Sequence, residues 1–149
     1  MDVEGDVVGT IGEDGRPGLL VYLGVARDDG DRDVEWMVGK LAGLRVFEDE
    51  HGKMARSVLD VGGAVLCVSQ FTLFGDVSRG LRPSFDEAAA PELAVALYER
   101  VHAGLRARGL RVETGRFRAS MMVRADVIGP VTIVIDSRRQ REPRTKEER

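Results

Sequence analysis

Ala64-Val65-Leu66-Cys67-Val68-Ser69-Gln70-Phe71-Thr72-Leu73-Phe74 is the most β-prone run in the chain, bounded by Gly62-Gly63 before it and Gly75-Asp76 after it. β-branched and aromatic residues fill it, so it reads as a strand buried on both faces. Alternation along a strand puts Leu66, Val68, Gln70, Thr72 and Phe74 on one face and Val65, Cys67, Ser69, Phe71 and Leu73 on the other. Ser69, Gln70 and Thr72 interrupt an otherwise apolar run. A buried polar group left unpaired costs roughly 1–3 kcal/mol, so each needs a partner in the protein or in a ligand.

Around this strand the pattern continues. Leu19 to Val25 is a second continuous apolar run and predicts another buried strand. Val34, Met37, Leu41 and Leu44 recur at helical spacing, as do Leu93, Leu97, Val101 and Leu105. Pro91 opens the second helix and Gly109 ends it. Glu4-Gly5-Asp6 predicts a hairpin turn, and residues 45–47, 111–114, 121–126 and 131–136 predict further strands. Asp28 to Asp33 is acidic, but its acceptor spacing and the missing closing glutamate make it a loop and helix N-cap rather than a calcium loop. Strands outnumber helices and many connections look like hairpins. The expected fold is an α+β domain with a curved, mainly antiparallel, barrel-like sheet and two helices packed on one side.

The chain has 149 residues, enough for one core. Hydrophobic residues make up 43% and charged residues 32%, a globular rather than disordered composition. No apolar run approaches the roughly 20 residues of a membrane helix, and no basic-then-apolar leader opens the chain. A cytoplasmic protein without membrane contact is expected. The single Cys67 cannot form an internal disulfide, and its apolar neighbours predict a buried, inert thiol. With His51, His102 and one cysteine, no metal site is expected, and no phosphate-cradling glycine loop is present. Six Arg or Lys against three Glu give residues 137–149 a charge of +3 and leave −6 on residues 1–136. The first part reads as the folded domain and the second as a charged, disordered tail. An acidic body disfavours extensive gripping of a nucleic-acid backbone, and DNA is not an expected partner.

Hydrolase chemistry from Ser or Thr requires a base within hydrogen-bond reach. Neither histidine lies near the polar end of the central strand. Thr72 as a nucleophile, with Gln70 orienting water, therefore lacks an evident base.

Ser69-Gln70-Phe71-Thr72-Leu73 resembles a signature of the D-aminoacyl-tRNA deacylases, and Gly129-Pro130-Val131-Thr132 resembles the second signature of that family. Residues 44–49, 59–63, 82–85 and 113–117 match intervening blocks in the same order. The resemblance spans about residues 3–137. It implies a homodimeric tRNA-editing esterase without cofactor that binds the 3′-terminal adenosine of aminoacyl-tRNA. It also implies catalysis by positioning, with the ribose 2′-hydroxyl assisting water. By matching position, Ser69, Gln70 and Thr72 serve the ester, while Phe71 and Met121 line the adenosine pocket. For Met121, core filling explains the residue equally well. Gly129-Pro130 would be a cis pair that reaches into the partner subunit and excludes L-amino acids while admitting D-amino acids and glycine, including glycine mischarged on tRNA(Ala). Read from the loop itself, Arg79 and Arg82 are candidate phosphate contacts, and a solvated loop tied to nearby carboxylates explains them equally well. The resemblance further implies a first strand carrying an arginine. Only Met1-Asp2-Val3 precede the first turn, which predicts a start upstream of Met1 or an unpaired sheet edge. Val127-Ile128 stands where the family often has Asn-Asp. Two alternatives follow: a binding homologue that has lost turnover, and an esterase using Thr72 as nucleophile.

Overall fold

The computed structural model describes residues 1–140. Residues 141–149, most of the expected tail, lie outside the described residues. The elements in order are β1 (Asp2–Val3), β2 (Asp6–Val7), β3 (Gly18–Leu23), α1 (Asp31–Gly43), β4 (Phe47–Glu48), β5 (Met54–Arg56), β6 (Ala64–Ser69), α2 (Pro91–Ala107) and β7 (Arg111–Thr114), with 3₁₀ turns at Phe71–Phe74 and Ser137–Gln140.

The main sheet has three strands in the order β3-β6-β7. β6 is central, and it is parallel to both neighbours. This corrects the expectation of a mainly antiparallel sheet. Each parallel pair needs a long crossover, and α1 and α2 supply them. The short pairs β1-β2 and β4-β5 and three isolated bridges are antiparallel, and among the described residues no sheet closes on itself.

Alternation along β6 divides the core. Val65 and Cys67 pack with Leu23, Val112 and the buried stripes of both helices. Leu66 and Val68 face the other way, against Met1, with Val8, Leu20, Met121 and Val123 closing over them. Both helices thus sit on one face of the sheet, as expected. In α2 the stripe is the predicted one, with Leu97, Val101 and Leu105 buried. In α1 it is rotated, with Val34, Val38, Leu41 and Ala42 buried. Gly109 ends α2 in the left-handed region at φ +87°, where a side chain would be strained.

At the N-terminus, Glu4 and Gly5 both have positive φ, and Asp2–Val3 pairs with Asp6–Val7 across them. The hairpin therefore closes on the three residues before the turn. The Met1 ammonium donates to the Gly9 carbonyl at 3.0 Å, and Asp2 bridges Met122.

Three predicted strands differ. The central strand stops at Ser69, not Phe74. Residues 121–126 contribute only the Met122 bridge, and residues 131–136 form no strand. β-branched residues favour extended backbone, but a strand exists only where a neighbour takes its hydrogen bonds, and no described strand pairs with residues 131–136, although Ile135 packs against the core. Ser137 is buried and begins a 3₁₀ turn.

Candidate active site at the end of the central strand

Ser69 is the last residue of β6 and pairs with Leu23. The Gln70 N–H donates to the Leu23 carbonyl at 2.8 Å, a final tie before the chain turns away. Phe71–Phe74 then form a 3₁₀ turn closed by the Gly75 N–H on the Thr72 carbonyl at 3.0 Å. The polar residues therefore stand at the C-terminal edge of a parallel strand, where open α/β sheets commonly hold ligands.

Within the turn, the Gln70 amide donates to the Thr72 hydroxyl. This pairing satisfies two polar groups that a straight strand would have held two residues apart on one face. Phe71 is 55% exposed, and its ring meets Phe85 edge-on at 5.0 Å between centroids. Ser69 and Gln70 are half-buried and Thr72 is exposed. Among the described residues no histidine or carboxylate hydrogen-bonds to Thr72. His51 is in the exposed β4–β5 turn, and His102 is buried in α2 against Tyr98.

Several residues that hold this turn carry no local sequence signal. Gly24 follows β3 directly beneath it. A Cβ there would lie 2.9 Å from Phe74 Cε2 and 3.3 Å from the Gln70 carbonyl, so the turn sits where a side chain would be. Tyr98 reaches from α2 to donate its hydroxyl to the Cys67 carbonyl at 2.7 Å, two residues before Ser69. Burial raises the Tyr98 pKa and pushes the Cys67 thiol up to about 12, so both stay protonated at neutral pH. Cys67 is thus the inert core residue that its neighbours imply. The contact of Tyr98 with β6 exists only in the packed fold.

Met121 is half-buried beside the Met1, Leu66 and Val68 cluster. Its Sδ would lie 2.5 Å from a Cβ on Gly115, so Gly115 makes room for it. Gly129-Pro130 lies elsewhere. Its peptide bond is cis, Gly129 has φ +123°, and both residues are exposed. No hydrogen bond or ring contact among the described residues links the pair to Ser69–Thr72. Around it Val127, Ile128, Val131, Ile133 and Val134 are all exposed, Ile128 at 92%. Arg79 and Arg82 are exposed and make no ion pair among the described residues. None of the described helices is long and apolar enough to cross a membrane.

The family model described as D-Tyr-tRNA(Tyr) deacylase matches residues 1–136. A D-aminoacyl-tRNA deacylase of Sorangium cellulosum is 58% identical over 140 residues, covering 93% of this chain and 91% of the relative. One from Anaeromyxobacter dehalogenans is 59% identical over 137 residues, covering 92% and 89%. Among solved structures, the c-Myc DNA unwinding element binding protein superposes with a TM-score of 0.82 at 39% identity, over 91% of this chain and 90% of that one. The match of the family model over nearly the whole described chain, and the identity of these relatives across it, make this chain a member of the D-Tyr-tRNA(Tyr) deacylase family, a family of hydrolases.

Proposed function

We propose that the chain edits tRNA in the cytoplasm, hydrolysing the ester of D-aminoacyl-tRNA, and of glycyl-tRNA mischarged on tRNA(Ala), to free amino acid and tRNA. The observation that carries this reading is a Gln70–Thr72 turn, closed by its own hydrogen bond, that no histidine or carboxylate among the described residues joins. An aminoacyl ester is already activated, so alignment alone can account for much of the acceleration. Water adds to the ester carbonyl, and the bond from that carbon to the ribose oxygen breaks. The ribose oxygen takes up a proton as the amino acid leaves, with the neighbouring 2′-hydroxyl relaying it. Ser69, Gln70 and Thr72 orient the ester, and backbone N–H groups along the turn stabilise the developing oxyanion. Phe71 and Met121 hold the terminal adenosine, and Arg79 and Arg82 meet its phosphates.

Chirality is assigned to Gly129-Pro130 of a second copy. The apolar flank from Val127 to Val134 supports this, because a contiguous exposed patch of β-branched residues favours burial against a partner. Backbone carbonyls of the pair would receive the amino group of a D-residue and leave no space for an L side chain. Glycine passes the same filter.

The test is deacylation of D-tyrosyl-, L-tyrosyl- and glycyl-tRNA by catalytic amounts of protein without added metal. Loss of the D and glycyl esters with the L ester spared supports the proposal. Binding without turnover on all three substrates would identify a binding-only homologue. Thr72→Ala separates positioning from nucleophilic catalysis: a partial loss fits positioning, and near-total loss would assign Thr72 as nucleophile. The likeness to a DNA unwinding element binding protein gives the assay a competitor, duplex DNA. The charge of −6 on residues 1–136 predicts little competition.

A further inference from the structure

We infer that Arg138 is a positioning residue that clamps the 3₁₀ turn of the site to the C-terminal end of the described chain. This rests on the deacylase reading for its kinetic consequence but not for its geometry. Arg138 lies in the turn Ser137–Gln140, past the part of the chain that the family model matches. Its guanidinium stands 5.4 Å from the centroid of Phe74, the last residue of the site turn. From there it donates to Asp136, with Nη2 at 2.8 Å from Oδ2 and Nε at 3.1 Å from both oxygens, and to Glu87 Oε2 through Nη1 at 3.0 Å. One planar cation therefore ties three segments together.

Each segment bears on the site. Phe74 occupies the space left by Gly24 and ends the turn that carries Gln70 and Thr72. Glu87 belongs to the loop that carries Phe85, the ring against which Phe71 rests, and its carbonyl takes the Arg27 N–H at 3.0 Å. Asp136 is held well below the usual carboxylate range, first by its hydrogen bonds from Arg138, and the Arg138 pKa is raised in turn. The pairs are solvent-exposed, so no single one is strong. Their shared fork and the ring beside it make the constraint geometric, which a lysine cannot reproduce. The turn that carries Thr72 and the loop that carries Phe85 are thus braced by a residue outside both.

The test compares Arg138→Ala and Arg138→Lys with the wild type in the full chain. Hydrogen exchange should quicken about fivefold at the Leu73 and Gly75 amides of Arg138→Ala, while the Val68 amide in β6 is unchanged. In D-tyrosyl-tRNA deacylation, kcat should fall about fivefold with KM and Tm little altered, and Arg138→Lys should recover less than half of the loss. A raised KM with unchanged kcat, and a shallower salt dependence, would make Arg138 a phosphate contact and overturn the clamp. So would a loss of activity that follows the fraction unfolded, or unchanged exchange at Leu73 and Gly75. If the wild type turns over none of the esters, the deacylase reading fails, and the exchange data still decide the clamp.

Discussion

Gly24→Ala is the sharpest probe of the candidate site, because it adds one methyl group beneath the 3₁₀ turn and changes nothing else. The backbone at Gly24 is not in the left-handed region, so alanine is conformationally allowed there. Its Cβ would lie 2.9 Å from Phe74 Cε2, and 3.3 Å from both the Gln70 carbonyl oxygen and Leu73 Cβ. Carbon atoms pack best at about 3.5–4.0 Å, so the closest contact is short by about 0.6 Å. β3 is fixed in the ladder and cannot give. The turn above it has exposed residues at Phe71, Thr72 and Leu73 and moves instead, by about half an ångström. Misplacement by about 1 Å costs on the order of 100-fold, so half of that predicts a tenfold fall in kcat, about 1.4 kcal/mol. Because an exposed turn absorbs the strain, the stability cost should fall at the low end of the overpacking range, about 1 kcal/mol. The assay is single-turnover deacylation of D-tyrosyl-tRNA alongside urea unfolding. Gly43→Ala is the control, since a Cβ there meets nothing within 4 Å, and it should keep full activity. Wild-type turnover in Gly24→Ala would refute the reasoning, as would a loss that follows the unfolded fraction.

Three further outcomes are expected. Gly63→Ala would bring a Cβ to 2.4 Å from the Pro17 carbonyl oxygen, just before β3, which should cost about 3 kcal/mol in urea unfolding; a cost under about 1 kcal/mol would contradict this packing. Tyr98→Phe removes the hydroxyl that ties α2 to the Cys67 carbonyl and should cost about 1 kcal/mol, measured as a shift in the unfolding midpoint without a change in slope. Burial, with Arg106 adding to it, lowers the pKa of His102 from 6.5 to about 4. The unfolded chain takes up that proton near pH 6.5 and the folded chain only near pH 4, so the contribution is full above 6.5 and is lost as pH falls between the two. The loss is at most about 3 kcal/mol, and His102→Leu should flatten the stability profile in that window.

Much of this molecule can be read from local pattern. The α2 stripe is legible because Leu97, Val101 and Leu105 obey a helical period that any buried face imposes. The strand Ala64–Ser69 is legible because only a two-sided core needs so continuous an apolar run. The family is legible because two signatures and their intervening blocks stand in order. Strand direction is not written in that pattern. β6 is equally apolar whichever way its neighbours run, and it is the crossovers through α1 and α2 that make them parallel.

From the sequence alone come the buried stripe of α2, the apolar core of the central strand, the inert Cys67 and the candidate site residues. Only the tertiary structure decided that the strand stops at Ser69 and that Gln70 turns onto Thr72. It alone brought Gly24, Tyr98, Phe85 and Arg138 to that turn, from segments as far as 69 residues away in sequence from Ser69. The reason is physical. Periodicity reports only whether a side chain faces water or protein. A site is made by which protein atoms it faces, and those come from residues distant along the chain.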